Sequence, residues 1–151
     1  MTIKPSNEEG LIICLSGPSG VGKGTVIRKM LETRSDMRLS ISMPSRSPRY
    51  NEQDGIHYHF TDRANFEELI RQNKILEYDE YMDNYYGTPE EPLIELVAQG
   101  ISMLLDLTVI GALAVKRKFP QALTVFLMPP SQAALKKRLS SRGTESGEII
   151  E

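Results

Sequence analysis

The sequence predicts an α/β fold built on a parallel sheet, and three observations carry that prediction. A short apolar run, Leu11 to Leu15, ends in a glycine-rich turn, as a strand buried on both faces of a parallel sheet does. A helix-spaced apolar stripe follows the turn at once, with Val26, Ile27, Met30 and Leu31 on one face of a helix beginning near Lys23. Strand and helix patterns then alternate again between Leu93 and Leu139, which implies right-handed crossovers and ligand binding at the carboxyl ends of the strands.

Each later element has its own signal. From Leu39 to Tyr58 the chain is polar, and Pro44 and Pro48 forbid a regular helix, so an extended segment and loop are expected. Asp62 is placed to cap a helix carrying Phe66, Leu69 and Ile70 on one face. Ile75 to Tyr81 returns to extended character, and NYYGTP supplies a turn. Leu93, Leu96 and Val97 mark a helix closed by Gly100, and Ile101 to Leu107 reads as a buried strand. Gly111 to Phe119 is expected to be helical, Leu123 to Met128 a strand bounded by Pro129 and Pro130, and Leu135 with Leu139 opens a basic helix.

Composition narrows the function classes. A chain of 151 residues makes one compact domain with a real core. Its 18 Lys and Arg nearly balance 20 Asp and Glu, so no global positive field points to nucleic acid or an anionic membrane, and any phosphate binding must be local. Met1 to Gly10 has no apolar core of a secretory leader, and no stretch is apolar for the 18 or so residues of a membrane span. A soluble, cytoplasmic protein is expected. The lone Cys14 sits in an apolar run, as a buried, unreactive thiol does.

GPSGVGKGT at Gly17 to Thr25 matches the phosphate-binding pattern G-x-x-x-x-G-K, with Gly24 where a hydroxyl residue is usual and the hydroxyl one later, at Thr25. Small residues let the backbone N–H groups of Gly17, Pro18, Ser19, Gly20, Val21, Gly22, Lys23, Gly24 and Thr25, proline excepted, converge on phosphate oxygens. The helix N-terminus adds partial positive charge, and Lys23 adds a mobile cation for the transferring group. The alternative is a glycine-rich turn with an incidental lysine. A buried strand before the motif and an amphipathic helix after it favour the phosphate loop, and with it a P-loop NTPase three-layer fold.

A second constellation comprises Ser42, Arg46, Arg49, Tyr58, Glu77, Tyr86 and Thr88. Two arginines and two phenol hydroxyls can hold a phosphate dianion through charge-assisted hydrogen bonds. One carboxylate can accept two adjacent N–H donors of a ligand base together, which makes Glu77 the natural base reader, with Ser42 and Thr88 as hydroxyl partners. Adenine offers no such pair and would leave the carboxylate unpartnered. His57 and His59 flank Tyr58, with no third ligand to complete a metal site.

At SISMPSRSPR, DGIHYHF and NYYGTP the chain resembles the guanylate kinases, whose corresponding segments are a Ser-rich stretch ending T-T-R-x-P-R, then D/N-G-x-x-Y-x-F, then N-Y-Y-G-T/S. The resemblance implies ATP at the glycine loop, GMP held by Arg46, Arg49, Tyr58 and Tyr86, and Mg²⁺ as cofactor, reached through Thr25 and Asp106. It implies a core of about 10–40 and 92–133, a GMP-binding lobe of about 41–91, and a partial lid of about 134–151. KKRLSSRGTES resembles the start of that lid, which assigns Arg138 and Arg142 to the donor phosphates and makes Lys23, Arg46, Arg49 and Arg142 the catalytic cations.

Three departures from the family pattern stand out. Pro44-Ser45 replaces T-T before the first arginine, which stiffens the loop and removes a hydroxyl. After the third core strand, Asp106 keeps an acidic position, while Thr108 and Ile110 stand where the family has Asp and Gln. The sequence stops at Glu151 inside the lid-like segment, so the family's second lid arginine and C-terminal core elements are expected to be absent and a sheet edge exposed. The expected activity is phosphorylation of GMP by ATP. A nucleotide-binding or protein-interaction module on the same fold is the first alternative, and a kinase for another phosphorylated sugar or nucleotide the second.

Overall fold

The computed structural model of the chain describes residues 9–142. Its first sheet has β1 (Ile12–Ser16), β2 (Met37–Leu39), β6 (Ser102–Asp106) and β7 (Leu123–Phe126) in the order β2-β6-β1-β7, all neighbours parallel. The register sets Ile12 opposite Met103 and Leu15 opposite Asp106, so β1 and β6 end together beside the glycine loop.

The period of two along β1 explains the layering. Ile12 and Cys14 point to one face, where they pack with Leu93 of α3 (Glu90–Ala98) and Ala112 and Val115 of α4 (Val109–Lys118). Ile13 and Leu15 point to the other, against Ile27 of α1 (Lys23–Thr33), with Val26, Met30 and Leu31 beside it. A helical layer on each face makes the three-layer fold that the apolar runs predict. Leu104 is fully buried at the centre, so Leu104→Ala would cost about 2–5 kcal/mol. Burial also pushes the Cys14 thiol up to about 11, with the charge of Glu77 adding to it, so the thiol stays protonated and inert.

A second, antiparallel sheet runs in the order β3-β5-β4, from β3 (Met43–Pro44), β5 (Asn84–Pro89) and β4 (Ile75–Tyr81). Here the expectation of a turn at NYYGTP is corrected, because that segment is strand β5, paired with β4 from Tyr81↔Asn84 back to Ile75↔Pro89. The turn lies one step earlier, at Met82 and Asp83, which both take positive φ (50° and 61°), as a two-residue hairpin loop requires. Pro44 is tolerated because β3 is an edge strand. Ser45 N donates to Tyr85 O at 2.9 Å, and the Ser45 hydroxyl accepts from Tyr85 N at 2.8 Å. Helix α2 (Arg63–Arg71) covers this sheet: Asp62 caps it by accepting from Asn65 N at 2.8 Å, and buried Phe66 stacks on Tyr85 at 5.1 Å.

Strand β2 was absent from the sequence expectations, being three residues with only Met37 buried. Helix α4 begins at Val109 rather than Gly111, because Thr108 caps it by accepting from Gly111 N at 3.2 Å. The chain after β7 forms α5 (Gln132–Arg142). β7 is an edge strand among the described residues, with Leu123 and Phe126 about half exposed.

Candidate active site

The glycine loop wraps the N-terminus of α1 at the carboxyl end of β1. Gly22 is the N-cap at φ 107°, a conformation L side chains rarely adopt, so the residue before Lys23 has to be glycine for the loop to turn into the helix. A cleft of about 700 Å³ opens over this loop, lined by Gly17 to Gly20, Gly22 to Gly24, Asp106, Thr108, Val109 and Phe126. Lys23 Nζ donates to Gly17 O at 3.2 Å and lies 3.3 Å from Asp106 Oδ1. The loop cation is thus held at the mouth of the cleft by a carboxylate from the end of β6.

Two predicted donor residues stand elsewhere. Thr25 lines a second cavity, which shares Gly20 and Gly22 with the cleft and adds Val26, Arg138 and Ser141. Arg138 Nη1 donates to Val21 O at 2.8 Å, so its guanidinium braces the loop's backbone, and it does not line the cleft that holds Lys23. The side chain of Arg142 lies outside the described residues.

The second constellation gathers on the antiparallel sheet and the loops around it. Arg46 Nε donates to Tyr86 Oη at 3.0 Å, and its guanidinium carbon lies 5.5 Å from the Tyr58 ring centre and 5.8 Å from that of Tyr86. A residue the sequence reading missed completes the cluster: Glu52 accepts both Arg46 Nη1 (2.6 Å) and Nη2 (2.9 Å). Glu52 also accepts Arg49 N at 2.8 Å. The bond from Arg46, then that from the Arg49 backbone, hold its carboxyl down at about 2. Its only sequence signal is an acidic residue three places after Arg49 in a polar loop. The Arg49 side chain is exposed. Ser42 joins through its backbone, accepting from His59 N.

Glu77, on β4, lies opposite Thr88 of β5. The Thr88 hydroxyl donates to Glu77 Oε1 at 2.6 Å and is itself buried. Burial raises the Glu77 pKa above the ordinary carboxylate range, against the lowering effect of the Thr88 bond. Glu77 faces a cavity of about 280 Å³ that also touches Thr108, Ile110 and Gly111 at the start of α4. A Cβ on Gly111 would come 2.8 Å from Glu77 Oε2. A side chain at 111 would push this carboxylate from its rest against the helix N-terminus, where the dipole favours an anion. Thr108 lines both this cavity and the cleft over the glycine loop.

The arrangement offers a phosphate cradle with a cation at one end, a guanidinium and phenol cluster on the second sheet, and a partly buried carboxylate between them and the core. Among the described residues no group of three His, Cys, Asp or Glu could hold a metal ion alone, and no helix is long and apolar enough to cross a membrane.

Comparison with known proteins gives a family model, Guanylate kinase, that matches residues 9–151. The chain is 50% identical over 147 residues to a guanylate kinase of Listeria innocua, covering 95% of this chain and 71% of that protein. It is 47% identical over 143 residues to a guanylate kinase of Oceanobacillus iheyensis, covering 95% and 69%. Among solved structures, guanylate kinase from Anaplasma phagocytophilum superposes with a TM-score of 0.69 at 34% identity, covering 87% of this chain and 67% of that one.

Proposed function

Because the chain belongs to the guanylate kinase family, we propose that it transfers the terminal phosphoryl group of ATP to GMP, giving ADP and GDP. The observation that carries this reading is the pairing of two complementary sites in one fold: a glycine-loop cleft with Lys23, and an Arg46–Tyr86–Glu77–Thr88 surface on the second sheet.

The backbone N–H groups of the loop bind the donor phosphates, and Lys23 leaves Asp106 to follow the charge onto the transferring group. Arg46, Arg49, Tyr58 and Tyr86 hold the GMP phosphate and aim its oxygen at the donor. Glu77 accepts guanine N1–H and N2–H, and Thr88 keeps its carboxylate turned. Ser42 adds a hydroxyl at the base. Arg142 closes onto the donor phosphates, and Arg138 supports the loop from behind through Val21 O.

Mg²⁺ takes few protein oxygens and keeps several waters, and the donor set at the cleft fits that habit: Asp106 is a half-exposed carboxylate beside the phosphate loop. Asp106 would hold the ion, through water, and Thr25 does not line the cleft that Asp106 lines. The ion would supply charge neutralisation for the donor phosphates. No protein nucleophile is needed.

The test is transfer of label from γ-labelled ATP. Labelled GDP should form when GMP is added, and label released as free phosphate, or left on ATP, would contradict the proposal. The chain acts on soluble nucleotides, and the cytoplasm is the compartment proposed for it.

A further inference from the structure

Arg46 is already committed before any ligand arrives. Its Nε donates to Tyr86 Oη, its Nη1 to Glu52 Oε2 and to Ser47 O, and its Nη2 to Glu52 Oε1. These bonds use four of the five N–H groups a guanidinium carries, leaving one on Nη2. The rings of Tyr58, Phe60 and Tyr86 enclose the same guanidinium at 5.5–5.8 Å. Both partners of the Arg46–Glu52 pair are largely shielded, with side chains 13% and 17% exposed.

Glu52 Oε2 is shared, because it accepts Arg46 Nη1 at 2.6 Å and Arg49 N at 2.8 Å. A carboxylate that merely neutralised Arg46 would have no reason to bond the backbone of the second arginine. The shared oxygen instead fixes the spacing between the two. Tyr86 Oη accepts from Arg46, so its own proton is left to donate outward beside the remaining Nη2 hydrogen.

From this network we infer that Glu52 is the positioning residue of the acceptor-phosphate clamp: one carboxylate fixes the Arg46 fork and anchors the Arg49 backbone, so that Arg46 meets the GMP phosphate preorganised and Arg49 reaches it from a fixed backbone. The inference rests on GMP being the acceptor. Glu52 touches no substrate and acts only through the two arginines. Preorganisation spares the ordering of a rotamer-rich side chain on binding, a cost of the order of a tenfold change in affinity per side chain. Removing the carboxylate also removes a negative charge near the phosphate, which works the other way. Glu52→Asp keeps that charge while changing the geometry, so it separates the two terms.

The experiment compares the full chain with Glu52→Gln and Glu52→Asp by titration calorimetry, using GMP and phosphate-free guanosine as the two probes. Glu52→Gln should weaken GMP about tenfold and leave guanosine within about twofold, since only the phosphate is read through Arg46 and Arg49. Glu52→Asp is too short to bridge both arginines and should show an intermediate loss; it also carries the test if Glu52→Gln does not fold. In turnover, KM for GMP should rise and KM for ATP should not. Unchanged or tighter GMP binding would overturn the inference, the latter by making Glu52 a competitor of the phosphate. Equal weakening of GMP and guanosine would overturn it too, reducing Glu52 to a support of the sheet. If the unsubstituted chain binds no GMP, the acceptor reading fails, and the inference with it.

Discussion

The donor cleft and the acceptor surface solve the same problem, holding phosphate, with different parts of the polypeptide. The donor cleft is built of backbone: a loop whose N–H groups, helix N-terminus and single lysine come from one contiguous stretch, Gly17 to Thr25. The acceptor surface is built of side chains from separate segments, Arg46 and Glu52 from a loop, Glu77 from β4, Tyr86 and Thr88 from β5. A backbone site needs small residues and a fixed turn, and tolerates change where nothing packs. A side-chain site needs each partner oriented by another. Losing one acceptor residue should therefore disturb its neighbours, while losing one donor residue should act alone.

The largest effect expected on the donor side is from Lys23→Ala. Losing the cation that tracks the transferring charge should lower kcat by roughly 10³-fold, with GMP affinity unchanged in a binding titration. If GMP binding fell as well, the two regions would not be separable. On the acceptor side Glu77→Gln should cut kcat/KM for GMP about 100-fold in a coupled assay, because an amide cannot accept both guanine protons. The same substitution sharpens the contrast through stability. Glu77 carries a pKa raised by burial, so its ionisation costs the fold stability as pH rises from the ordinary value towards the raised one. Glu77→Gln should thus melt no lower than the parent at neutral pH, while losing its substrate.

The pH profile follows with the opposite sign for binding. The ionised Glu77 binds guanine, so GMP affinity should fall as pH drops through its raised pKa, and this acid limb should vanish in Glu77→Gln. Gly111→Ala comes next: its methyl would press on Glu77 Oε2, and KM for GMP should rise about tenfold with KM for ATP unaltered. The smallest effect is expected at Gly24, where an added Cβ meets nothing within 4 Å. Gly24→Ala should change steady-state rates by less than about twofold, whereas Gly22→Ala, forced to keep φ 107°, should not be tolerated.

This difference in construction also decided what the sequence could reveal. The donor loop was legible because one contiguous pattern, a buried strand followed by glycines, lysine and an amphipathic helix, encodes its whole geometry. β1, α1 and β6 follow from apolar runs for the same reason. Glu52 was not legible, since its role depends on a loop folding back to place a carboxylate against Arg46, and no periodicity records that. Gly111 read as an ordinary helical residue because its meaning comes from Glu77 on a distant strand. Gly87 and Pro89 of β5 imitate turn chemistry, while the turn itself uses Met82 and Asp83, neither a glycine. Arg138 carried the right charge in the right segment, but which side of the loop it faces is set by the packing of α5.

Acceptor choice is read most directly from ADP release by this chain with saturating ATP and Mg²⁺, measured against GMP and AMP side by side. GMP-dependent release should exceed AMP-dependent release by several orders of magnitude in kcat/KM, as a site reading N1–H and N2–H through one carboxylate demands. Release that is independent of GMP, or equal with AMP, would contradict it.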